Sequence, residues 1–343
     1  MNVLLWYKRD LRLADHPALS LAAGLGDVVA VYVVEPAYWA LPDTSARQWA
    51  ATADALGDLR DDLGRVGGAL VVRVGDAVDQ LAGLCRQHAI TRIVSHAETG
   101  NLWTYARDRR VAAWARQAGI AWDEVAQSGV VRRLRGRDGW AGQRDAFMRG
   151  AVAVPSAIRF VPGIAPGPIP TARSLQLADD PCPHRQGGGR IHGLAALDSF
   201  LIRRAAPYRA AMSSPVTGER ACSRLSVALA TGALSLRDVV QATAARQSEH
   251  PGAGFGPSLR SFQSRLAWRD HFIQKLEDQP SIELRALHPA TDALRPGNPD
   301  PVINIATDGR LAAIDMRFVQ PTMKDDPGSK LNLMIDDIIK THE

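Results

Sequence analysis

Cysteine is scarce in this chain: Cys85, Cys182 and Cys222 are three in 343 residues, odd in number and far apart. That excludes a disulfide framework and offers no paired zinc ligands, so the three are expected to be reduced thiols. Cys182, His184 and His192 have glycines between them and no paired spacing, which argues against a metal site there. No stretch approaches the roughly 20 unbroken apolar residues of a membrane span, and charge enters too early after the opening apolar run for a signal peptide. The expectation is a cytoplasmic protein. The first strand-like run is not followed by Gly-x-Gly-x-x-Gly, so a dinucleotide held on that turn is not expected.

What is present is an ordinary apolar content of 46%, 22% charged residues and a net charge of +5. The length suits two domains, and the modest positive excess is compatible with a polyanionic or phosphate-bearing partner. Charge is densest in Trp6-Tyr7-Lys8-Arg9-Asp10-Leu11-Arg12-Leu13-Ala14-Asp15-His16-Pro17. Residues 3–7 read as a short buried strand, so Lys8, Arg9, Asp10 and Arg12 fall at its carboxyl end, where open α/β sheets collect ligands. On spacing alone, a solvated charged loop explains the same run.

The first third of the chain alternates strand and helix patterns. Apolar β-branched runs at 28–34, 69–74, 92–95 and 120–125 predict further strands. Helical spacing marks 47–63, a stretch capped by Asp76 and running to His88, and 101–117. In the last of these Trp103, Val111 and Trp114 are expected inside, with Arg107, Arg109 and Arg110 outside. The repeated order predicts a parallel, Rossmann-like sheet with right-handed crossovers.

From 130 to about 189 the pattern gives way to Arg132, Arg133, Arg135 and Arg137, then to Pro-rich and Gly-rich sequence, which reads as a linker. The basic run suits nucleic acid or a solvated loop. Helical spacing returns at 194–204. Ser223 and Ser226 bracket Arg224 at an expected helix start, a set of donors that suits a diphosphate as well as a plain helix cap. A helix is predicted at 259–277, with Phe262, Leu266, Phe272 and Leu276 inside. Trp268 on that helix is either a core residue or a platform for a flat ligand.

Three motifs resemble the photolyase and cryptochrome flavoproteins. The run from Trp6 to Arg12 is similar to the family's amino-terminal Trp-aromatic-basic-Arg-Asp-Leu-Arg signature; Ser223-Arg224-Leu225-Ser226 with Gly232-Ala233-Leu234-Ser235 resembles its flavin adenine dinucleotide (FAD) phosphate element; and Trp268-Arg269-Asp270 resembles its Trp-Arg-acid motif. By that resemblance Tyr208, Cys222, Ser223, Arg224, Leu225 and Ser226 line FAD, with Cys222 where Thr is frequent. Arg265 stands on the same cofactor side, where many photolyases carry Glu. Trp268 and Arg269 become the catalytic pair, the ring receiving a flipped pyrimidine dimer.

The resemblance implies an α/β antenna domain over 1–130, a linker over 131–190 and a partial all-α FAD-binding domain over 191–297. It fades after His288-Pro289-Ala290, and 298–343 is a tail without recognised kinship, in which 302–305 reads as a strand and 329–340 as an amphipathic helix. The implied activity is light-driven electron transfer from reduced FAD to a cyclobutane pyrimidine dimer in damaged DNA, in a monomer if the pocket is covered. A second chromophore, folate or deazaflavin, could border 8–15 and 96–103. The alternatives are a cryptochrome-like blue-light receptor, or a non-catalytic remnant that binds a nucleotide or chromophore through its α/β domain.

Overall fold

The computed structural model describes residues 1–153, 157–252 and 254–286. Within it, 1–277 form one compact unit and 278–343 a second, each treated by itself. The 302–305 strand and 329–340 helix expected from sequence lie outside the described residues, as does the His288-Pro289-Ala290 element.

Five parallel strands, β1 Asn2–Tyr7, β2 Asp27–Val34, β3 Leu70–Val74, β4 Ile90–His96 and β5 Ala121–Val125, pair in the order β3-β2-β1-β4-β5. They follow the expected runs to within two residues. Side chains alternate between faces, as the period of two requires. Val3, Leu5 and Tyr7 pack with α1 (Pro17–Leu25) and α3 (Ala46–Arg65), while Leu4 and Trp6 pack with α4 (Ala77–Gln87) and α5 (Leu102–Gln117). Each fully buried Leu or Val contributes about 1.5–3 kcal/mol, so two covered faces explain continuous apolar strands. Asp76 caps α4 through Val78 N–H at 2.9 Å, and Asn101 caps α5 through Thr104 N–H at 3.0 Å. The sequence reading named neither α1 nor the single turn α2 (Pro36–Trp39).

Residues 130–189 hold more than connecting chain. They carry α6 (Trp140–Arg149), and Phe160 then extends the sheet where β3 has not yet begun, bridging Val28. The Pro-rich stretch stays non-helical, and Pro166 O accepts Val72 N–H at 2.6 Å.

The helical part follows: α7 (Gly189–Ser199), a π turn over Phe200–Arg204, then α8 (Tyr208–Ala211), α9 (Pro215–Ala221), α10 (Ser226–Thr231), α11 (Leu236–Glu249) and α12 (Phe255–Asp278). The single helix expected at 194–204 starts earlier and ends in the wider turn. Its core gathers Phe200, Tyr208, Leu225, Leu234, Phe262 and Leu266. Two acids of α3 hold α7 in place by accepting its first backbone N–H groups: Asp54 takes Gly188 at 2.9 Å and Asp58 takes Ile191 at 3.0 Å.

The predicted inner face of α12 needs correction at one position. Phe262, Leu266, Asp270 and Gln274 form the buried row, and Phe272 is 56% exposed. From Leu266 the row continues at steps of four into polar residues, each matched by a partner. Arg144 Nε donates to Asp270 at 3.0 Å, and Gln274 exchanges two hydrogen bonds with the backbone of Val131. Asp270 nonetheless has its acidity weakened, because burial outweighs the Arg144 and Arg269 charges.

Candidate functional site

The charged run after β1 is almost entirely buried, so it is not a solvated loop. Asp10 lies at its centre. One carboxylate oxygen accepts the Lys8 N–H at 2.7 Å; the other is 2.7 Å from His96 Nδ1 and 3.0 Å from His16 Nε2. The remaining imidazole nitrogens accept backbone N–H groups at the start of α1, His16 Nδ1 from Leu19 at 2.9 Å and His96 Nε2 from Ala18 at 3.4 Å. This partner set makes both rings neutral, with the His96 proton bonded to Asp10 and His16 Nε2 in close polar contact with the same oxygen.

Burial would raise the Asp10 carboxyl, but the bonds to His16 and His96 hold it well below the usual range. Burial lowers both imidazoles against the pull of Asp10, His96 to about 3. The trio groups like metal ligands. Tetrahedral zinc with bonds of about 2.0–2.1 Å would set its ligand atoms about 3.3 Å apart, wider than these contacts, and the far nitrogens are already occupied. The cluster is a hydrogen-bonded brace between β1, β4 and α1.

Arg12 and Asp15 join the two parts of the 1–277 unit. Arg12 donates to Gly232 O at 2.9 Å and to Asp15 O at 3.0–3.1 Å, Leu11 N–H donates to Thr231 O at 3.1 Å, and Asp15 pairs with Arg237 at 2.9 Å. Gly232 has φ +71° and lies so close that a Cβ would sit 2.2 Å from Arg9 O. Only glycine fits there.

Lys8 and Arg9 turn the other way, into a solvent-open crevice of about 390 Å³ at the carboxyl ends of β1, β2 and β4. The strand order reverses across β1 and β4, the position where open α/β sheets take ligands. Trp6, Tyr32, Tyr38 and Trp39 supply flat walls; Glu35, Glu98 and Arg107 supply charge. Arg107, expected outside α5, is buried at the back, paired with Glu35 at 3.0 Å, Glu98 at 2.6 Å and Asp108 at 2.9 Å. Lys8 completes the network on Asp108 at 3.0 Å. Burial disfavours charge on Arg107, but Glu98, Asp108 and Glu35 raise its affinity for the proton. Glu35 is raised by burial against the pull of Arg107 and of the Ala77 backbone N–H, and among the described residues its buried Oε1 makes no hydrogen bond of good geometry. No motif pointed to Glu35, Glu98 or Arg107; a buried arginine is visible in sequence only when its acids are brought to it. Val111 is buried as expected, whereas Trp103 and Trp114 are half-buried.

The helical candidates separate into two groups. Tyr208 and Leu225 are buried, Tyr208 wedged edge-on between Phe200 and Phe262 at 5.5 and 5.7 Å. Ser223 is half-buried; Arg224 and Ser226 are exposed. Among the described residues none of these three side chains has a hydrogen bond or ion pair. The expected serine cap is not made: α10 is preceded by Leu225 with no side-chain cap, and Arg224 takes φ +62°. Arg204 crosses behind, donating to Cys222 O and, at 3.2 Å, to Ser223 O. Burial lowers its proton affinity, as do the neighbouring charges of Arg224 and Arg203. Arg265 lies over the Trp268 ring at 4.6 Å, Trp268 is 53% exposed, and Arg269 donates to Leu229 O at 3.0 Å.

Residues 3–135 match the family model of DNA photolyase. A deoxyribodipyrimidine photo-lyase of Streptomyces griseus is 27% identical over 305 residues, which cover 84% of this chain and 64% of that protein. A cryptochrome DASH of Natronomonas pharaonis is 23% identical and is matched over 62% of its length. Among solved structures, a bacterial class III photolyase from Agrobacterium tumefaciens shares the fold, with a TM-score of 0.71 at 23% identity over 85% of this chain and 62% of that one. The chain thus spans a little under two thirds of the length of each of these three. By its amino-terminal signature and these likenesses, residues 3–135 form a DNA photolyase domain, and the chain as a whole is similar to photolyases and cryptochromes.

Proposed function

We infer that the chain is a photolyase-like flavoprotein that takes FAD at 222–226 and acts on damaged DNA through Trp268 and Arg269. The observation that carries the reading is the uncommitted donor set of Ser223, Arg224 and Ser226 beside Arg203 and Arg204. The exposed Arg203 and Arg224 guanidinium groups with two hydroxyls suit a diphosphate, since charge-assisted hydrogen bonds to phosphate are the strong ones, while Arg204 is already spent on Ser199, Ala196, Cys222 and Ser223. The residues therefore fit the group. Cys222 has no hydroxyl, and its backbone is already bonded to Arg204 and Gly218, while the buried Tyr208 and Leu225 form the floor.

Reduced FAD, when bound, supplies the photoexcited electron that opens a cyclobutane dimer. The chain's own residues do the rest. Trp268 offers an exposed ring for an extruded pyrimidine, which stacking favours without regard to sequence. Arg269 is held by Leu229 O, with its charge beside Asp270. The test is repair of a thymine-dimer oligonucleotide by the FAD-reconstituted chain, in the light and in the dark. Repair in light alone supports the reading; repair in neither ends it.

A second reading rests on the crevice. Its aromatic walls and the buried Glu35 carboxylate suit a flat heterocycle with an N–H donor, such as a folate or deazaflavin antenna. That ligand needs none of the helical residues, so a chain that binds it and not FAD is the chromophore-binding remnant. A cryptochrome would differ from both by carrying FAD without repairing the dimer.

A further inference from the structure

The segment that leads into α7 is fastened to the α/β part and reaches across to the 222–226 corner. Asp54 of α3 accepts Arg185 Nη1 at 2.6 Å and Gly188 N–H at 2.9 Å, and Asp58, one helical turn on, accepts Ile191 N–H at 3.0 Å. The approach is close. A Cβ on Gly188 would overlap Ala51 O, so glycine alone lets this stretch lie on the helix. Between the anchors stands Gln186, whose Nε2 donates to Arg224 O at 2.8 Å. The sequence pattern places Gln186 only in a linker.

Arg224 needs such a hold. Its φ of +62° lies in the left-handed region, which a residue with a Cβ occupies at a cost and keeps only where its surroundings impose it. Three successive carbonyls of the corner are tied by donors from elsewhere in the chain. Arg204 donates to Cys222 O and, at 3.2 Å, to Ser223 O, and Gln186 donates to Arg224 O. With the backbone engaged in this way, the side chains of Arg224 and Ser226 are left exposed and that of Ser223 half-buried. Burial lowers the proton affinity of Arg204 and the charges of Arg224 and Arg203 lower it further, so an anion at the corner relieves a repulsion already present.

We propose that Gln186 is the positioning residue of this corner: anchored to α3 through Asp54, it holds Arg224 in the left-handed conformation that presents Ser223, Arg224 and Ser226 together to a diphosphate. Gln186 acts through the Arg224 backbone and is not one of the donors to the ligand. The inference rests on the reading of 222–226 as a diphosphate site. It goes beyond that reading in making α3, a helix of the α/β part, set the shape of a site in the helical part. Loss of the bond frees Arg224 to return to negative φ and scatters the three donors. One hydrogen bond of ordinary strength shifts that local equilibrium about fivefold.

The test is the rate of tryptic cleavage after Arg224, located by mass spectrometry, in the full chain with and without ADP at constant ionic strength. ADP carries a diphosphate and no flavin. Cleavage after the exposed Arg260 of α12 is the reference for opening elsewhere. The wild type is expected to be cut slowly after Arg224, and more slowly with ADP. Gln186→Met keeps the size of the side chain and removes the donor. It should be cut about fivefold faster after Arg224, with Arg260 unchanged and most of the ADP protection lost. Asp54→Ala, a change in α3, should speed the same cleavage. Gln186→Met cut at the wild-type rate overturns the proposal, and so does equal acceleration after Arg260, which would make Gln186 a residue of general stability. Asp54→Ala without effect at Arg224, or ADP that protects variant and wild type alike or protects neither, also overturns it. Failure of flavin retention or of photorepair ends the FAD reading and leaves this result standing, since neither flavin nor light enters the experiment.

Discussion

The crevice of the α/β part and the open corner of the helical part are both rich in charge, and they use it in opposite ways. Around the crevice, Lys8, Asp10, Glu98, Arg107 and Asp108 are buried and bonded to one another. At the corner, the Arg224 and Ser226 side chains face solvent with no hydrogen bond or ion pair among the described residues. A buried charge must be matched from within, because an unpaired one would be neutralised or expelled. An exposed charge has no such obligation and stays available. The most densely charged motif of the sequence is therefore chiefly a structural device, and the sparse run at 222–226 is where we propose that a ligand finds free donors.

Removing Arg107 tests that contrast most severely. Arg107→Met leaves Glu35, Glu98 and Asp108 crowded and uncompensated, and should lower stability by about 3–5 kcal/mol in urea unfolding. A loss below about 1 kcal/mol would place the network with surface ion pairs and blur the comparison. Acid should act next. His96 titrates at about 3 in the fold and near 6.5 unfolded, so its stabilisation is complete above pH 6.5 and is lost as pH falls toward 3. At pH 5 that amounts to about 2 kcal/mol, and His16, lowered in the same direction, adds to it. Asp10, held below its ordinary value, extends the loss at still lower pH. A His96→Gln variant should show a flatter profile between pH 7 and 5; an unchanged profile would assign the titration elsewhere.

The smallest change in stability is expected at the open corner. Arg224→Ala should alter unfolding by no more than about 0.5 kcal/mol, because nothing in the fold leans on its side chain. It should still weaken FAD about tenfold or more, as the loss of a charged donor to phosphate does. Equal damage to stability and to FAD binding would make Arg224 a structural residue like those of the crevice.

How much of this was legible follows the same division. The strands, Asp76 and Asn101 were readable because β-branched runs and cap residues act locally. The parallel pairing also follows from alternating strands and helices, whereas the strand order does not. Arg107 was misplaced on the outer face of α5 because helical spacing says nothing of acids that β2 and β4 bring to it. Phe272 was misplaced for a related reason. The buried row of α12 continues through Asp270 and Gln274, and a search for apolar residues steps past two polar ones whose partners, Arg144 and Val131, lie more than a hundred residues away. Helix α6 was hidden between an arginine run and a proline-rich stretch. The positions at 222–226 were picked out by family resemblance; their exposure and lack of partners are properties of the folded chain alone.

The most direct test of the central claim compares retention of FAD with that of riboflavin, which has the same ring and no diphosphate, by the purified chain in equilibrium dialysis. If the free donors at 223–226 define the site, FAD is retained, riboflavin is not, and Arg224→Ala reduces FAD toward the riboflavin level. Equal retention of the two flavins, or FAD binding that Arg224→Ala leaves intact, would contradict the account.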